Sequence, residues 1–281
     1  MRLLVRCPNW VGDIVMATPI FKILRDNFPQ AQITVAVRKY AAGVIDACPH
    51  IDELMPIDDK SVGGILTVSA QIRRGNYDKA ILLTHSPRAF FPIYLAGVRE
   101  IYGYRRGLQK FFIDGPFPLT ENGKVKPIPM TEYYLQICRH MGLNISDNVR
   151  TELFVSKQAE EEIDRIFMDH GLVSHQKIIC INPGAKFGSS KCWPPANFAK
   201  LADLATDAFS SQILLITGPG EDKIASDILS LAKKKIVYLP DINLSRLKAL
   251  IRRVSLLVTN DTGPRHYATA FNIPSVVVLG P

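Results

Sequence analysis

The chain has 281 residues, 47% of them hydrophobic and 21% charged, the composition of a globular protein long enough for two cores and unlike a disordered or fibrous one. Its 34 Lys and Arg against 26 Asp and Glu leave a formal net charge of +8, which favours an anionic partner without choosing among nucleic acid, an acidic membrane surface and a phosphate-rich substrate. Cys7, Cys48, Cys138, Cys180 and Cys192 are odd in number and show no CxxC or His-rich spacing, so neither a disulfide framework nor a zinc site is expected and a reducing cytoplasm fits.

The amino terminus starts basic and apolar, but Pro8, Asn9, Gly12 and Asp13 interrupt it before a signal-peptide core forms. No run approaches the roughly eighteen apolar residues of a membrane span, so the expectation is a cytoplasmic protein, at most peripheral to a membrane. Residues 2–6 read as an apolar strand with charge only at its flanks, the pattern of a strand covered on both faces. It runs into Cys7-Pro8-Asn9-Trp10-Val11-Gly12-Asp13, after which helical spacing predicts a helix over 14–27, closed by Pro29. A β-branched strand over 32–37, a short helix over 41–47 and a proline-bearing edge strand over 51–57 follow. Asp58 and Asp59, beside Lys60, read as solvated loop charge. A helix over 67–74, a buried strand over 79–84 and a helix over 88–95 complete a βαβα rhythm, which argues for a parallel sheet with helices on both faces.

Residues 98–126 lose that rhythm. Arg99, Arg105, Arg106, Lys110, Lys124 and Lys126 alternate there with Tyr102, Tyr104, Phe111 and Phe112, a mixture suited to a nucleic-acid backbone, an anionic lipid or a sugar acid, or simply to a solvated loop. Residues 130–141 predict an amphipathic helix and 152–155 a short extended piece; a charged helix over 156–170 opens on Ser156 and Glu160, one residue off a capping box. The division expected is therefore a domain over 1–155, a connecting helix and linker over 156–175, and a second domain over 176–281. That domain restarts the rhythm with strands over 177–182, 212–217, 235–239, 256–259 and 275–279, with helices between them. The sequence stops directly after the last of these strands, where another loop is expected, so the second domain reads as incomplete.

Three turns fall at carboxyl ends of predicted strands: residues 9–13, 184–191 and 260–266. Ligands in open α/β sheets bind at such edges, and two doubly wound domains facing a cleft would bring the three together. Asp13 is suited either to complement a helix dipole or to serve as a general base toward a hydroxyl. The middle turn, with Gly184, Gly188, Ser189, Ser190 and Lys191, has the chemistry of a phosphate cradle but lacks the GxxxxGK[ST] spacing. In the third, Asp261 sits where it could accept from sugar hydroxyls, or where it merely caps a helix, while His266 either donates to a phosphate or packs. No acidic pair suited to a divalent metal is present, and a metal-independent chemistry is expected.

These segments carry a family resemblance. Cys7-Pro8-Asn9-Trp10-Val11-Gly12-Asp13-Ile14-Val15-Met16, then the run from Asn182 to Pro194, then Thr259-Asn260-Asp261-Thr262-Gly263 with His266 resemble the ADP-heptose:lipopolysaccharide heptosyltransferases of glycosyltransferase family 9. The match runs in register along the chain, including Ser86, Arg88 and Gly103-Tyr104-Arg105-Arg106, and the Trp-Val-Gly-Asp opening leans toward the enzyme acting second in core assembly. The resemblance implies a GT-B fold of two Rossmann-like domains, with the donor in the second, and an inverting, metal-independent transfer of heptose from ADP-heptose. The implied acceptor is the anionic inner core of lipopolysaccharide at the cytoplasmic face of a membrane, with no nucleic acid and no cofactor. Residue by residue, it implies Asp13 as base and Lys191 on the diphosphate. It also implies Gly184, Ser190, Asp261, Thr262, Gly263 and His266 about the donor, with Glu221 or Asp222 near the adenosine ribose. Gly12, Arg88, Arg105 and Arg106 would serve the acceptor. Pro264, Arg265 and Cys192 depart from the family pattern. The rival expectations are a relative with another donor or acceptor, and a non-catalytic nucleotide-sugar binding protein.

Overall fold

The computed structural model describes residues 1–172, 176–184, 193–240 and 242–279, which fall into two compact units, Met1–Glu152 and Leu153–Pro281. In the first unit, β1 (Arg2–Arg6), β2 (Gln32–Arg38), β3 (Glu53–Ile57), β4 (Lys79–Leu82) and β5 (Glu100–Gly103) form one sheet ordered β3-β2-β1-β4-β5, and every pairing is parallel. Helices α1 (Val11–Asn27), α2 (Val62–Gly75), α3 (Pro87–Leu95) and α4 (Met130–His140) cover it. The central strands read as unbroken apolar runs because both faces are covered. Leu4, Ala36, Ala80 and Leu82 point to the face packed with Val68, Ile72, Ala89, Phe90 and Ile93 of α2 and α3.

The structure departs from the sequence-based expectation at several points. Helix α1 starts at Val11 rather than 14, so the Gly12-Asp13 pair forms its first turn instead of a preceding loop. As expected, the helix continues through Pro19, which has no N–H for the Val15 carbonyl; the Thr18 hydroxyl takes that carbonyl at 2.8 Å and accepts the Glu152 N–H at 3.0 Å. Residues 39–44 close as a 3₁₀ turn, and β5 emerges from the basic segment as an edge strand whose pattern is masked by Tyr102 and the flanking charges. A small antiparallel hairpin, β6 (Thr120–Glu121) with β7 (Lys124–Val125), follows that edge.

The second unit repeats the plan. Strands β8 (Ile178–Asn182), β9 (Gln212–Ile216), β10 (Ile236–Leu239), β11 (Leu256–Asn260) and β12 (Ser275–Val278) are all parallel in the order β10-β9-β8-β11-β12. Helices α5 (Lys157–His170), α6 (Pro195–Phe209), α7 (Asp222–Leu231), α8 (Leu244–Ile251) and α9 (Pro264–Ala270) accompany them. Ser156 caps α5 by accepting the Ala159 N–H. Helix α5 belongs to this unit and packs on α8. Glu162 pairs with Arg246, and Glu160 with Arg252 and Arg253; Arg253 also reaches Asp164 at 2.7 Å.

Candidate active site

In each unit the strand order reverses once at the centre, between β1 and β4 and between β8 and β11. The loops that leave those strands diverge there and open a crevice at the carboxyl edge of the sheet, the standard ligand position of such folds.

At the β1 edge, Asp13 is the third residue of α1, where a carboxylate is favoured by the helix dipole. It is half-buried, and burial raises its pKa above the ordinary aspartate value. Among the described residues it has neither a hydrogen bond nor an ion pair. Gly12, directly before it, adds no side chain to the same turn. Tyr134 of α4 stands close by, its hydroxyl pKa raised first by burial and then by the Asp13 charge. The turn itself is anchored from beneath. Arg6 is fully buried and gives one nitrogen to both Asp59 (2.7 Å) and the Asn9 side chain (3.0 Å), and another to the Cys7 carbonyl. Asp59 is 1% exposed and also binds Arg38 at 2.9 Å, while Tyr40 donates to the Asn9 carbonyl. The expectation that Asp59 is solvated charge is therefore corrected: Asp58 is exposed, but its neighbour is the shared counter-charge of two guanidiniums whose strands converge on it.

The candidate acceptor residues separate. Arg106 leaves β5 in extended backbone, and Arg105 and Arg106 meet different groups. Arg106 lies toward the Asp13 side: its charge depresses the pKa of His85, after burial, and opposes the burial that raises Tyr133. Tyr133 stacks on Tyr104 at 3.7 Å and meets Tyr134 edge-on. Arg105 instead donates to the Lys110 carbonyl at 3.2 Å and lies 4.7 Å over the Phe117 ring, in a separate groove. Arg88 is the exposed second residue of α3, beyond Ser86 at the cap.

At the β8 edge, Gly184 has no room for a side chain, since a Cβ would fall 1.9–2.2 Å from the Glu221 carboxylate. Glu221 is held there by accepting the Gly218 N–H at 2.6 Å, whereas Asp222 turns toward the hydroxyl of Tyr238 on β10 at 3.3 Å. Of the two acids, then, Glu221 is the one brought against the Gly184 turn. Asn260, fully buried at the end of β11, donates to the Pro183 carbonyl at 2.6 Å and accepts the Trp193 N–H at 3.3 Å. One carboxamide thus ties together the two ends of the segment that carries Ser190 and Lys191, which themselves lie outside the described residues. Asn182 donates to the hydroxyls of Thr259 (2.9 Å) and Thr262 (3.0 Å), so the Thr262 side chain is engaged within the protein.

After Gly263 the helix start is less open than a bare N-terminus. Pro264 has no N–H, and those of Arg265 and His266 already bond the Thr262 and Gly263 carbonyls. Arg265 pairs with Asp261 at 3.1 Å and donates to His266 Nε2 at 3.2 Å, which leaves the ring proton on Nδ1. Burial, assisted by Arg265, lowers the His266 pKa to about 4, so the ring is a neutral hydrogen-bonding group at neutral pH and not a cation. Sequence reasoning missed Arg6, Asp59 and the tying role of Asn260; no local signal distinguishes a buried charge pair 53 residues apart. Among the described residues no group of three or more His, Cys, Asp and Glu is placed to hold a metal ion, and no helix is long and apolar enough to cross a membrane.

Solved structures share this architecture. A glycosyltransferase family 9 protein from Veillonella parvula superposes with a TM-score of 0.88 at 23% identity, covering 98% of this chain and 79% of that one. The Escherichia coli ADP-heptose lipopolysaccharide heptosyltransferase II gives 0.81 at 24% identity, covering 99% and 84%. With two Rossmann-like units in tandem, the fold is GT-B. The sequence matches glycosyltransferase family 9 (heptosyltransferase) over residues 65–281, and the chain belongs to that family. Among curated proteins, lipopolysaccharide heptosyltransferase 2 of Escherichia coli K12 is 26% identical over 293 residues, an alignment spanning 100% of this chain and 83% of the relative.

Proposed function

We propose that the protein transfers heptose from ADP-L-glycero-D-manno-heptose to heptosyl-Kdo2-lipid A, with inversion and without a metal, at the cytoplasmic face of the membrane that holds this acceptor. The observation that carries the reading is Asp13: an unpaired carboxylate at the β1 edge, with a pKa raised by burial, in a family of glycosyl-transferring enzymes. An inverting displacement needs one base to take the acceptor hydroxyl proton as its oxygen attacks the sugar carbon, and Asp13 has that chemistry. The departing diphosphate needs fixed positive charge. Lys191 is the candidate, carried by the segment whose ends Asn260 ties. Glu221, held against Gly184, is the acid assigned to the ribose hydroxyls, and Asp261 and the His266 Nδ1–H serve the sugar and phosphate. Arg106, on the Asp13 side, is assigned to the anionic acceptor; Arg88 is a further candidate.

The test follows ADP release with both substrates present, in EDTA, for the native chain and for Asp13→Asn. Release that requires the acceptor, persists in EDTA and falls about 10²- to 10⁴-fold in the variant is the expected result. Full activity in Asp13→Asn removes the base assignment. Release only with a different sugar acceptor keeps the family and discards the acceptor. Nucleotide-sugar binding without any release points to a binding protein.

A further inference from the structure

Beside β5, the first unit exposes apolar and cationic groups together. A groove of about 450 Å³ is lined by Tyr94, Arg99, Arg105, Lys110, Phe111 and Phe112, among others. Around it Leu108 is 86% exposed, Phe111 72%, Phe117 58% and Phe112 52%. The rings are fixed: Phe112 meets Tyr94 edge-on at 4.9 Å and Phe90 at 6.2 Å. Three cations line the groove against one acid, Asp114, and that acid is engaged by His140 at 2.9 Å. Exposed large apolar side chains concentrated in one place mark a contact surface.

We infer that this face docks on an anionic lipid bilayer, with Leu108, Phe111 and Phe112 entering the interface and Arg99, Arg105 and Lys110 meeting lipid phosphates. Rings at headgroup depth beside cations form the interfacial pattern in which apolar burial and charge attraction add. Nucleic acid fits less well. The most exposed group, Leu108, is aliphatic and offers no face for base stacking, and one face of Phe111 and one of Phe117 are taken by the Lys110 ammonium and the Arg105 guanidinium. A second copy across a twofold axis would bring the three cations against their own like charge. The inference rests on the proposed function only in that it names the surface on which a lipid-borne acceptor is met.

The test is co-sedimentation of the chain with vesicles of phosphatidylcholine alone and of phosphatidylglycerol mixed with phosphatidylcholine, for the native protein and for Leu108→Ser/Phe111→Ser. Both positions are exposed, and unchanged circular dichroism and thermal midpoint verify the fold of the variant. The native chain should sediment with the phosphatidylglycerol vesicles, weaken as salt rises, and bind at least about tenfold more tightly than the variant. Transfer to a de-acylated, water-soluble acceptor should be equal in the two. Equal sedimentation of variant and native protein overturns the inference, as does absence of binding to either vesicle. Saturable binding of inorganic phosphate that releases the chain from vesicles also overturns it, by assigning the groove to a soluble anion. A dimer lost in the variant without vesicle binding overturns it in favour of self-association. If transfer fails while vesicle binding behaves as expected, the proposed function falls and the docking surface stands.

Discussion

A carboxylate serves as a base only where it is unprotonated at the working pH yet basic enough to accept a proton, and burial sets that balance for Asp13. In the proposed role, its raised pKa should move the acid limb of kcat/KM upward from the 3.8 of ordinary aspartate. With Asp13 as the proposed base, activity should be full above its pKa and fall as pH drops through it, as read from a kcat/KM profile. His266 complicates the same profile, since it gains a proton near 4. The limb should therefore persist in His266→Asn and lie above 3.8; a limb that disappears in that variant belongs to the histidine. Gly184 yields a second expectation at this scale. Alanine there would push the Glu221 carboxylate from its place and break its bond to the Gly218 N–H, while the backbone, which has an unstrained conformation, stays. The donor KM should rise about tenfold with little change in thermal midpoint, as measured by initial rates over an ADP-sugar series. An unchanged KM separates Glu221 from the donor. None of this was written in the local sequence: Glu221 and Asp222 are adjacent acids, and only the backbone turn that aims one at Gly218 and the other at Tyr238 tells them apart.

Between residues and domains, the carboxyl ends of β1 and β2 and the loop after β3 are joined by one buried cluster. Arg6, Arg38 and Asp59 converge from positions far apart in the chain, and Asn9 hangs from the same guanidinium. Removing the acid leaves two guanidiniums without their shared counter-charge. Asp59→Ala should lower stability by about 3–5 kcal/mol, read as a shift of the urea midpoint. An effect below about 1 kcal/mol would show that water already screens the pair. Helix α1 gives the complementary lesson. Gly12 reads as a loop because glycine is common in turns, yet the helix begins at Val11: glycine is tolerated in a first turn, and Asp13 favours one. Strand β5 was hidden for the opposite reason. It is the edge strand of the sheet, paired to β4 on one side and bridged by Asp114 on the other, and Glu100 and Tyr102, which both engage Lys79, interrupt its apolar run.

At the scale of the molecule, the repeated strand–helix rhythm made the fold class legible, since strands buried on both faces advertise themselves as apolar runs and cannot be mistaken for hairpins. Which loops share an edge is fixed by strand order, which composition does not encode; the edges holding Asp13 and Asn260 follow from the central reversal in each sheet. That reversal also governs how the chain is made. In each unit the central strand is synthesised before both of its partners, and the partner beyond the reversal arrives late: Leu3 pairs with Lys79, and Ile179 with Leu256. At roughly 5–20 residues per second of translation, one flank of β1, and later of β8, stays open for several seconds or more, with its main-chain groups bare. The nascent polypeptide meets the same aggregation hazard twice, and elongation speed between codon 3 and codon 79, and again between codons 179 and 256, sets how long each sticky ribbon waits for its seam to close.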